Sequence, residues 1–174
     1  MKKTFTSAPL FAALCIGLCT TAAHAVEVGQ PAPEFSLPAA IGLLGNAELR
    51  GKVTYLDFWA SWCGPCKKSF PWMSEMQSRY GSRGFQVIAI NLDKKREDAD
   101  RFLAETPASF KVAFDGKGES ARLFAIKGMP SSVLIGPDGR VIAVHSGFRD
   151  EERKELEARI AVALATVPAL ASSR

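Results

Sequence analysis

Apolar and polar positions divide the chain into alternating strands and helices. Residues 53–60, Val-Thr-Tyr-Leu-Asp-Phe-Trp-Ala, form a β-branched and aromatic run, which is typical of a strand buried on both faces of a parallel sheet. Residues 67–80 then place apolar side chains at helical spacing and predict an amphipathic helix. The strand therefore leads directly into a helix, and the segment between them holds the most informative residues of the sequence.

The rest of the chain continues the alternation of strands and helices, and it ends with a hairpin of two strands followed by a helix. The further predicted elements are a short strand ending at Leu37, a loop or hairpin over 39–51, strands over 85–92, 110–114, 132–135 and 141–144, and helices over 95–105, 120–126 and 150–164. A Gly-Pro-Asp-Gly turn at 136–139 joins the last two strands into a hairpin. Residues 93–101 mix both charge signs and predict a solvated helix face. The pattern predicts an α/β fold with a mixed sheet flanked by helices.

The beginning of the chain has the pattern of a secretory signal peptide. Lys2 and Lys3 precede an apolar run over 9–18, and Ala23-His24-Ala25 forms an A-x-A cleavage signature. We predict a cleaved signal over residues 1–25 and one domain over 26–174, with its core at about 28–164. The apolar run is short for a bilayer span, and an uncleaved anchor is the alternative. Export would place the domain in the periplasm or an equivalent oxidising compartment.

Charge and composition exclude several classes of function. The chain has 174 residues, with 22 basic and 18 acidic side chains and a formal net charge of +4. Such a small excess gives no reason to expect a nucleic-acid partner. We also predict no cofactor and no metal, and we expect a monomer that is soluble once the signal is removed.

Two cysteines dominate the chemistry of the predicted domain. Cys15 and Cys19 lie in the predicted signal, which leaves Cys63 and Cys66 in the segment Trp-Cys-Gly-Pro-Cys. A disulfide between them would close a loop of only four residues. Such a loop contributes about 2 kcal/mol in the loop-entropy model, against about 3 for fifteen residues. A structural zinc site needs four ligands, and His145 would be the only other candidate after signal removal. The pattern favours a redox-active pair.

The predicted turn from strand to helix suits thiol chemistry. Cys63 would cap the helix, where free N–H groups and the helix dipole favour a negative charge. A thiolate is the nucleophile in disulfide exchange, and this position lowers the pKa of the thiol. Cys66 lies one turn further on, so we predict that it is more buried and that it resolves the mixed disulfide.

One acidic residue interrupts the apolar strand that precedes the cysteines. Asp57 lies in the middle of residues 53–60 and has no obvious local partner. Burial without a partner should raise the pKa of its carboxyl group. The functional interpretation is proton transfer to or from Cys66. The alternative is that Asp57 caps a neighbouring loop or pairs with a lysine such as Lys52.

These motifs resemble the thioredoxin superfamily, and in particular its exported ResA/TlpA-like branch. The segment 57–66, Asp-Phe-Trp-Ala-Ser-Trp-Cys-Gly-Pro-Cys, looks like the thioredoxin active-site signature. Gly128-Met129-Pro130 before a strand resembles that family's cis-proline loop. The segments 28–35 and 66–71 and the extra helix and strand between 95 and 114 are similar to the branch. The resemblance implies a thioredoxin-like sheet with an N-terminal extension and an inserted helix–strand unit.

The resemblance also implies an activity and a set of site residues. The expected protein is an exported thiol–disulfide oxidoreductase that exchanges Cys63 and Cys66 with protein thiols or disulfides, with Asp57 as proton carrier. The residues expected to meet the substrate are Trp62, Gly64, Pro65, Met129 and Pro130. We predict that the Met129–Pro130 bond is cis. The branch further implies reduction of substrates, a membrane electron donor and a role in cytochrome c maturation, within cell redox homeostasis.

Two positions depart from the branch. Ser69 stands where the branch commonly has a glutamate, and Asp57 stands where thioredoxin has its buried acid and the branch often has asparagine. The general redox chemistry depends on neither difference, whereas cytochrome c maturation rests on the resemblance alone. An oxidant or isomerase, a peroxiredoxin-like peroxidase and a non-catalytic binding chaperone on the same fold are the alternatives. His145 is expected to be structural or exposed.

Overall fold

The computed structural model describes residues 26–166. The predicted signal peptide, with Cys15, Cys19 and His24, lies outside the described residues, as does the tail over 168–174. Among residues 26–166, no helix combines the length and the apolar character needed to cross a membrane.

Seven strands and four α-helices follow each other along the described chain. They are β1 Ser36–Pro38, β2 Leu43–Gly45, β3 Val53–Trp59, α1 Gly64–Tyr80, β4 Phe85–Asn91, α2 Arg96–Glu105, β5 Lys111–Phe114, α3 Glu119–Leu123, β6 Ser131–Ile135, β7 Val141–Ser146 and α4 Arg153–Ala165. Short 3-10 turns occur at Asn46–Leu49, Gly81–Arg83 and Asp150–Glu152. The predicted elements are confirmed, with ends that shift by one to three residues in most cases.

Five strands form the central sheet, in the order β5-β4-β3-β6-β7. β3 pairs in parallel with β4, and β4 with β5. β6 is antiparallel to both β3 and β7. The predicted mixed sheet and its inserted unit, α2 with β5, are therefore confirmed. The segment over 39–51 contains β2, which pairs with β1 in a separate antiparallel hairpin.

The sheet separates the core into two apolar clusters, and β3 contributes to both. Its seven residues are all buried, as expected for a strand covered on both faces. Val53, Tyr55 and Trp59 pack on one side with residues of α1 and α4. Leu56 and Phe58 pack on the other side with the N-terminal extension and α3. Successive side chains of a strand alternate between faces, so odd-numbered residues of β3 face α1.

The helices mostly bury the residues that their periodicity selects. In α4, Leu156, Ile160 and Leu164 repeat every four residues and are buried. Val162 of the same helix is 66% exposed. At about 100° per residue, position 162 lies far around the helix from position 160. α1 begins at Gly64 instead of residue 67, because Gly-Pro fits the first turn, where no N–H bond is needed.

Candidate active site

The two cysteines lie where β3 leads into α1. Cys63 is the N-cap residue of this 17-residue helix, and Cys66 lies in its first turn. The two sulfur atoms form a disulfide with an S–S distance of 2.07 Å. The backbone N–H of Cys63 donates to the Ala60 carbonyl, and that of Cys66 donates to the Cys63 carbonyl, at 3.0 and 3.1 Å. The predicted position of the pair at a helix N-terminus is confirmed.

Burial differs sharply between the cysteines and the residues around them. Cys63 is 5% exposed and Cys66 is fully buried, in the order that the sequence predicts. Trp62 is 72% exposed, and Gly64 and Pro65 are exposed as well. Tryptophan is enriched at protein interfaces, because it combines a large apolar ring system with a polar N–H. Cys63 therefore lies at the edge of an apolar surface, whereas Cys66 lies behind it.

The proline loop reaches the same end of the sheet. The Met129–Pro130 peptide bond is cis, as predicted. Pro130 is buried and directly precedes Ser131, which pairs with Phe58 in β3. Met129 is half-buried and packs against the apolar cluster that contains both cysteines. Because β3 continues into the cysteine segment, the loop and the disulfide lie at one end of the sheet.

Asp57 is buried in the central strand. Its side chain is 1% exposed, and its Oδ2 has no hydrogen-bond partner among residues 26–166. Burial raises the pKa of this carboxyl well above its ordinary value of 3.8, as expected. Lys52 is exposed at the beginning of β3, and neither the suggested loop cap nor an ion pair with this lysine is found among the described residues. Asp57 shares the face of Tyr55 and Trp59, which is the face that α1 and Cys66 cover.

We expect Asp57→Asn to stabilise the oxidised protein increasingly as the pH rises. The folded state holds this proton more tightly than the unfolded chain, so wild-type stability falls with pH above about 4 and up to the folded pKa. One such group contributes at most about 1.4 kcal/mol per pH unit, and asparagine contributes no such slope. Urea unfolding of both proteins at about pH 5 and about pH 8 measures the difference. An equal difference at both pH values would show that the pKa is not raised.

The segment before Cys63 is held by a polar network that the sequence analysis missed. Asp93 accepts hydrogen bonds from the backbone N–H of Ser61 at 2.9 Å and from its hydroxyl at 3.0 Å. The side-chain amide of Asn91 donates to the same carboxylate at 2.8 Å. Asp93 is only 6% exposed, so its predicted place on a solvated helix face is wrong. The sequence feature that could have placed Asp93 is its position just after β4. The parallel neighbours β3 and β4 end at the same edge of the sheet, so Asp93 lies near the segment that follows β3.

The other polar residues near the pair have modest roles. Ser69 is buried, and its hydroxyl donates to the Cys66 carbonyl at 3.1 Å, so it supports the first turn of α1. Lys67 and Lys68 are exposed, and Lys67 lies 3.9 Å from Glu105. His145 is half-buried on β7, with its Nε2 3.3 Å from Glu152 Oε2.

Comparisons with known proteins agree with this geometry. The sequence profile described as Redoxin matches residues 27–160. The chain belongs to the Redoxin family. The thiol-disulfide oxidoreductase ResA of Bacillus thuringiensis subsp. konkukian is 32% identical to this Redoxin chain, over 75% of it and 76% of the relative. ResA of Bacillus subtilis is 30% identical, over 74% of the Redoxin chain and 72% of the relative.

A solved structure supports the same placement. A protein from Chlorobium tepidum, assigned as a thiol:disulfide interchange protein DsbE, is 51% identical to the Redoxin chain. The superposition has a TM-score of 0.79 and covers 80% of this chain and 99% of that one. This Redoxin protein is therefore a thiol–disulfide oxidoreductase with a thioredoxin-like fold, of the ResA and DsbE type.

Proposed function

We propose that this oxidoreductase reduces disulfides of exported proteins, with Cys63 as nucleophile, Cys66 as resolving cysteine and Asp57 as proton carrier. The observation that carries the proposal is the Cys63–Cys66 disulfide at the N-terminus of α1, beside the exposed Trp62 and at the end of the strand that holds the buried Asp57. Dithiol chemistry needs one sulfur that a substrate can reach and one that is sheltered, and Cys63, at 5% exposed, is the more accessible of the two.

The exchange proceeds in two displacements. The Cys63 thiolate attacks one sulfur of the substrate disulfide, and the other substrate sulfur leaves as a thiolate with the bonding electrons. Cys66 then loses its proton and attacks the Cys63 sulfur, which forms the enzyme disulfide and releases the second substrate thiolate. Two electrons pass from the enzyme to the substrate. The helix dipole of α1 stabilises the Cys63 thiolate, and Asp57 accepts the Cys66 proton.

The surface around Cys63 suits a protein substrate. Trp62, Gly64 and Pro65 are exposed, and Met129 is half-buried beside them on the proline loop. We assign these residues, with Pro130 as the support of the loop, to substrate binding. Exposed residues of this kind beside a reactive cysteine suit an extended protein segment.

The direction and the location of the reaction complete the proposal. The Cys-Gly-Pro-Cys segment and the resemblance to the exported branch favour a reductant, which a membrane protein would re-reduce on the exported side. The signal pattern over residues 1–25 supports export to the periplasm or an equivalent compartment. Cytochrome c maturation is the pathway that we propose, on the resemblance to the ResA/TlpA-like branch alone. We propose that the protein acts as a monomer.

Reduction of a model protein disulfide tests the function. Reduced wild-type protein is mixed with insulin. The number of thiols formed on insulin is then compared with the amount of enzyme that has become oxidised. We expect stoichiometric exchange, and none from the double variant Cys63→Ser/Cys66→Ser. A parallel reaction with peroxide as sole oxidant tests for a peroxidase. If peroxide oxidised the reduced enzyme faster than insulin does, the proposal would be overturned. It would also be overturned if the protein acted only as a chaperone, with full activity in the double variant.

A further inference from the structure

A row of polar side chains crosses the sheet from Asp57 to the surface. Asp57 in β3 pairs with Ser132 in β6, and Ser132 pairs with His145 in β7. Side chains directly opposite each other on one face have Cβ atoms about 4.5–5.5 Å apart. His145 lies on the same face as Ala143, which packs against the cluster with the cysteines. Glu152 continues the row, 3.3 Å from His145. We call Asp57, Ser132, His145 and Glu152 the polar row.

The polar row contains buried atoms whose bonding is incomplete. Asp57 Oδ2, His145 Nε2 and Glu152 Oε2 are all buried, and none has a hydrogen bond of good geometry within residues 26–166. Unsatisfied buried polar atoms are uncommon, and each calls for an explanation. Packing alone does not explain three such atoms in one row. An apolar side chain would fill each position without the free-energy cost of burying an unsatisfied polar atom.

A small cavity lies beside Ser132 and His145, the two middle members of the row. It has a volume of about 10 Å³. Its polar lining comes from Tyr55, Ser132, His145 and Arg159, and Ser132 lies within hydrogen-bonding reach of the Tyr55 hydroxyl. Apolar side chains, including Leu134 and Leu156, line the rest of the cavity, so it has room for one water molecule at most, held by these polar groups. Hydroxyl groups and imidazole both accept and donate protons, so the lining can carry a proton between neighbours.

We propose that the polar row conducts the Asp57 proton between the buried acid and the solvent, with His145 as the relay near the surface. The inference rests on the proposed role of Asp57 as proton carrier. When Cys66 attacks Cys63, the Cys66 S–H bond breaks and its proton passes to the Asp57 carboxylate. The proton then leaves through Ser132 and His145 toward Glu152, and the departing substrate thiolate takes a proton from solvent. Each cycle therefore returns Asp57 to its starting state without opening the core.

The charges around His145 suit this function. Glu152 faces it from the turn before α4, and Arg149 Nη1 lies 3.7 Å from the other oxygen of that carboxylate. Arg159 from α4 and Tyr55 from β3 line the same small cavity as His145, and Asp57 lies two strands away, beyond Ser132. Glu152 is half-buried and Arg149 is exposed, so this pair connects the imidazole with solvent.

The test measures the resolving step by itself. Reduced protein reacts with dithiobis(nitrobenzoate), a chromogenic disulfide whose first thiolate reports attack by Cys63 and whose second reports attack by Cys66. The nitrothiobenzoate thiolate leaves without being protonated. The rate of the second phase therefore depends on the loss of the proton from Cys66 and not on proton donation to the leaving group. We expect His145→Ala to slow the second phase about tenfold or more, with the about 10²–10⁴-fold loss of a directly acting acid or base as the upper range, and to leave the first phase unchanged. Added imidazole should restore the rate in proportion to its concentration.

Three further variants distinguish the possible outcomes. His145→Gln keeps a polar side chain but cannot relay a proton, so it should be slow as well, and it replaces the alanine variant if that one misfolds. Val144→Thr changes an exposed neighbour on the opposite face of β7 and should match the wild type. When Asp57 is already replaced by asparagine, His145→Ala should not slow the second phase further, because Asp57 and His145 act on the same proton.

Separate results would overturn the relay and the role of Asp57. A second phase within about twofold of wild type in both His145 variants, a loss that imidazole does not restore, or an independent loss in the Asp57→Asn background would overturn the relay. A wild-type second phase in Asp57→Asn itself would instead overturn the proposed function of Asp57.

Discussion

Cys63→Ser is expected to abolish disulfide exchange while leaving the fold intact. Cys63 is the N-cap of α1 and the first cysteine beneath the exposed Trp62 rim, so no other sulfur among residues 26–166 can take its place at the surface. Serine is nearly isosteric and retains the cap, but its hydroxyl does not displace a disulfide sulfur. Stopped-flow measurement of thiol release from a protein disulfide gives the rate.

Cys66→Ser provides the matched control, because it should give a different defect. Cys63 still attacks, but no second thiol resolves the product, so mixed disulfides with substrates should accumulate. Mass spectrometry of the trapped complexes would identify those substrates. In the reduced wild type, Cys63 should react much faster than Cys66 with an alkylating reagent, because it lies at the helix N-terminus. Equal alkylation rates for the two cysteines would contradict the assigned roles. Accumulation of mixed disulfides in the Cys63→Ser variant would show that the roles are reversed.

Asp57→Asn is expected to slow turnover by about 10²–10⁴-fold, the usual loss when positioned acid–base help is removed. The amide fills the same space without a buried charge, so the fold should persist, and the stability should rise as described above. The loss should lie in the resolving step, since Asp57 faces the side of the sheet that α1 and Cys66 cover. Rates of both exchange steps between about pH 6 and about pH 9 locate the loss.

Asp115→Asn is the control for this variant. Asp115 is also a buried aspartate, but its carboxylate accepts hydrogen bonds from the backbone of Glu119 and Ser120. Its substitution should lower stability and leave the rate of exchange unchanged. If Asp57→Asn keeps the wild-type rate over the whole pH range, or if Asp115→Asn slows exchange equally, Asp57 does not transfer the proton.

Local sequence patterns were sufficient to predict the strand, the helix and the position of the cysteines. Residues 53–60 have no polar face, so β3 had to be central, and Asp57 stood out because it is the one acid in that run. The beginning of α1 was placed too late, because apolar periodicity does not include Gly64, which has no side chain, or Pro65, which is exposed.

The contacts between strands could not be predicted in the same way. Asp93 is one of several charged residues after β4, and only the structure shows that it turns inward to bind Ser61. The polar row depends on the registers of β3 with β6 and of β6 with β7. The periodicity of a single strand does not contain its register, and a shift of one residue would put His145 on the opposite face.

The reduction potential of the Cys63–Cys66 pair tests the central claim most directly. Equilibration with dithiothreitol buffers of known potential, followed by alkylation and mass measurement, gives the fraction oxidised. A reductant with the Cys-Gly-Pro-Cys segment should have a potential near that of thioredoxin, about −270 mV. A potential near about −120 mV, which belongs to strong oxidants, would contradict the proposal that this protein reduces its substrates.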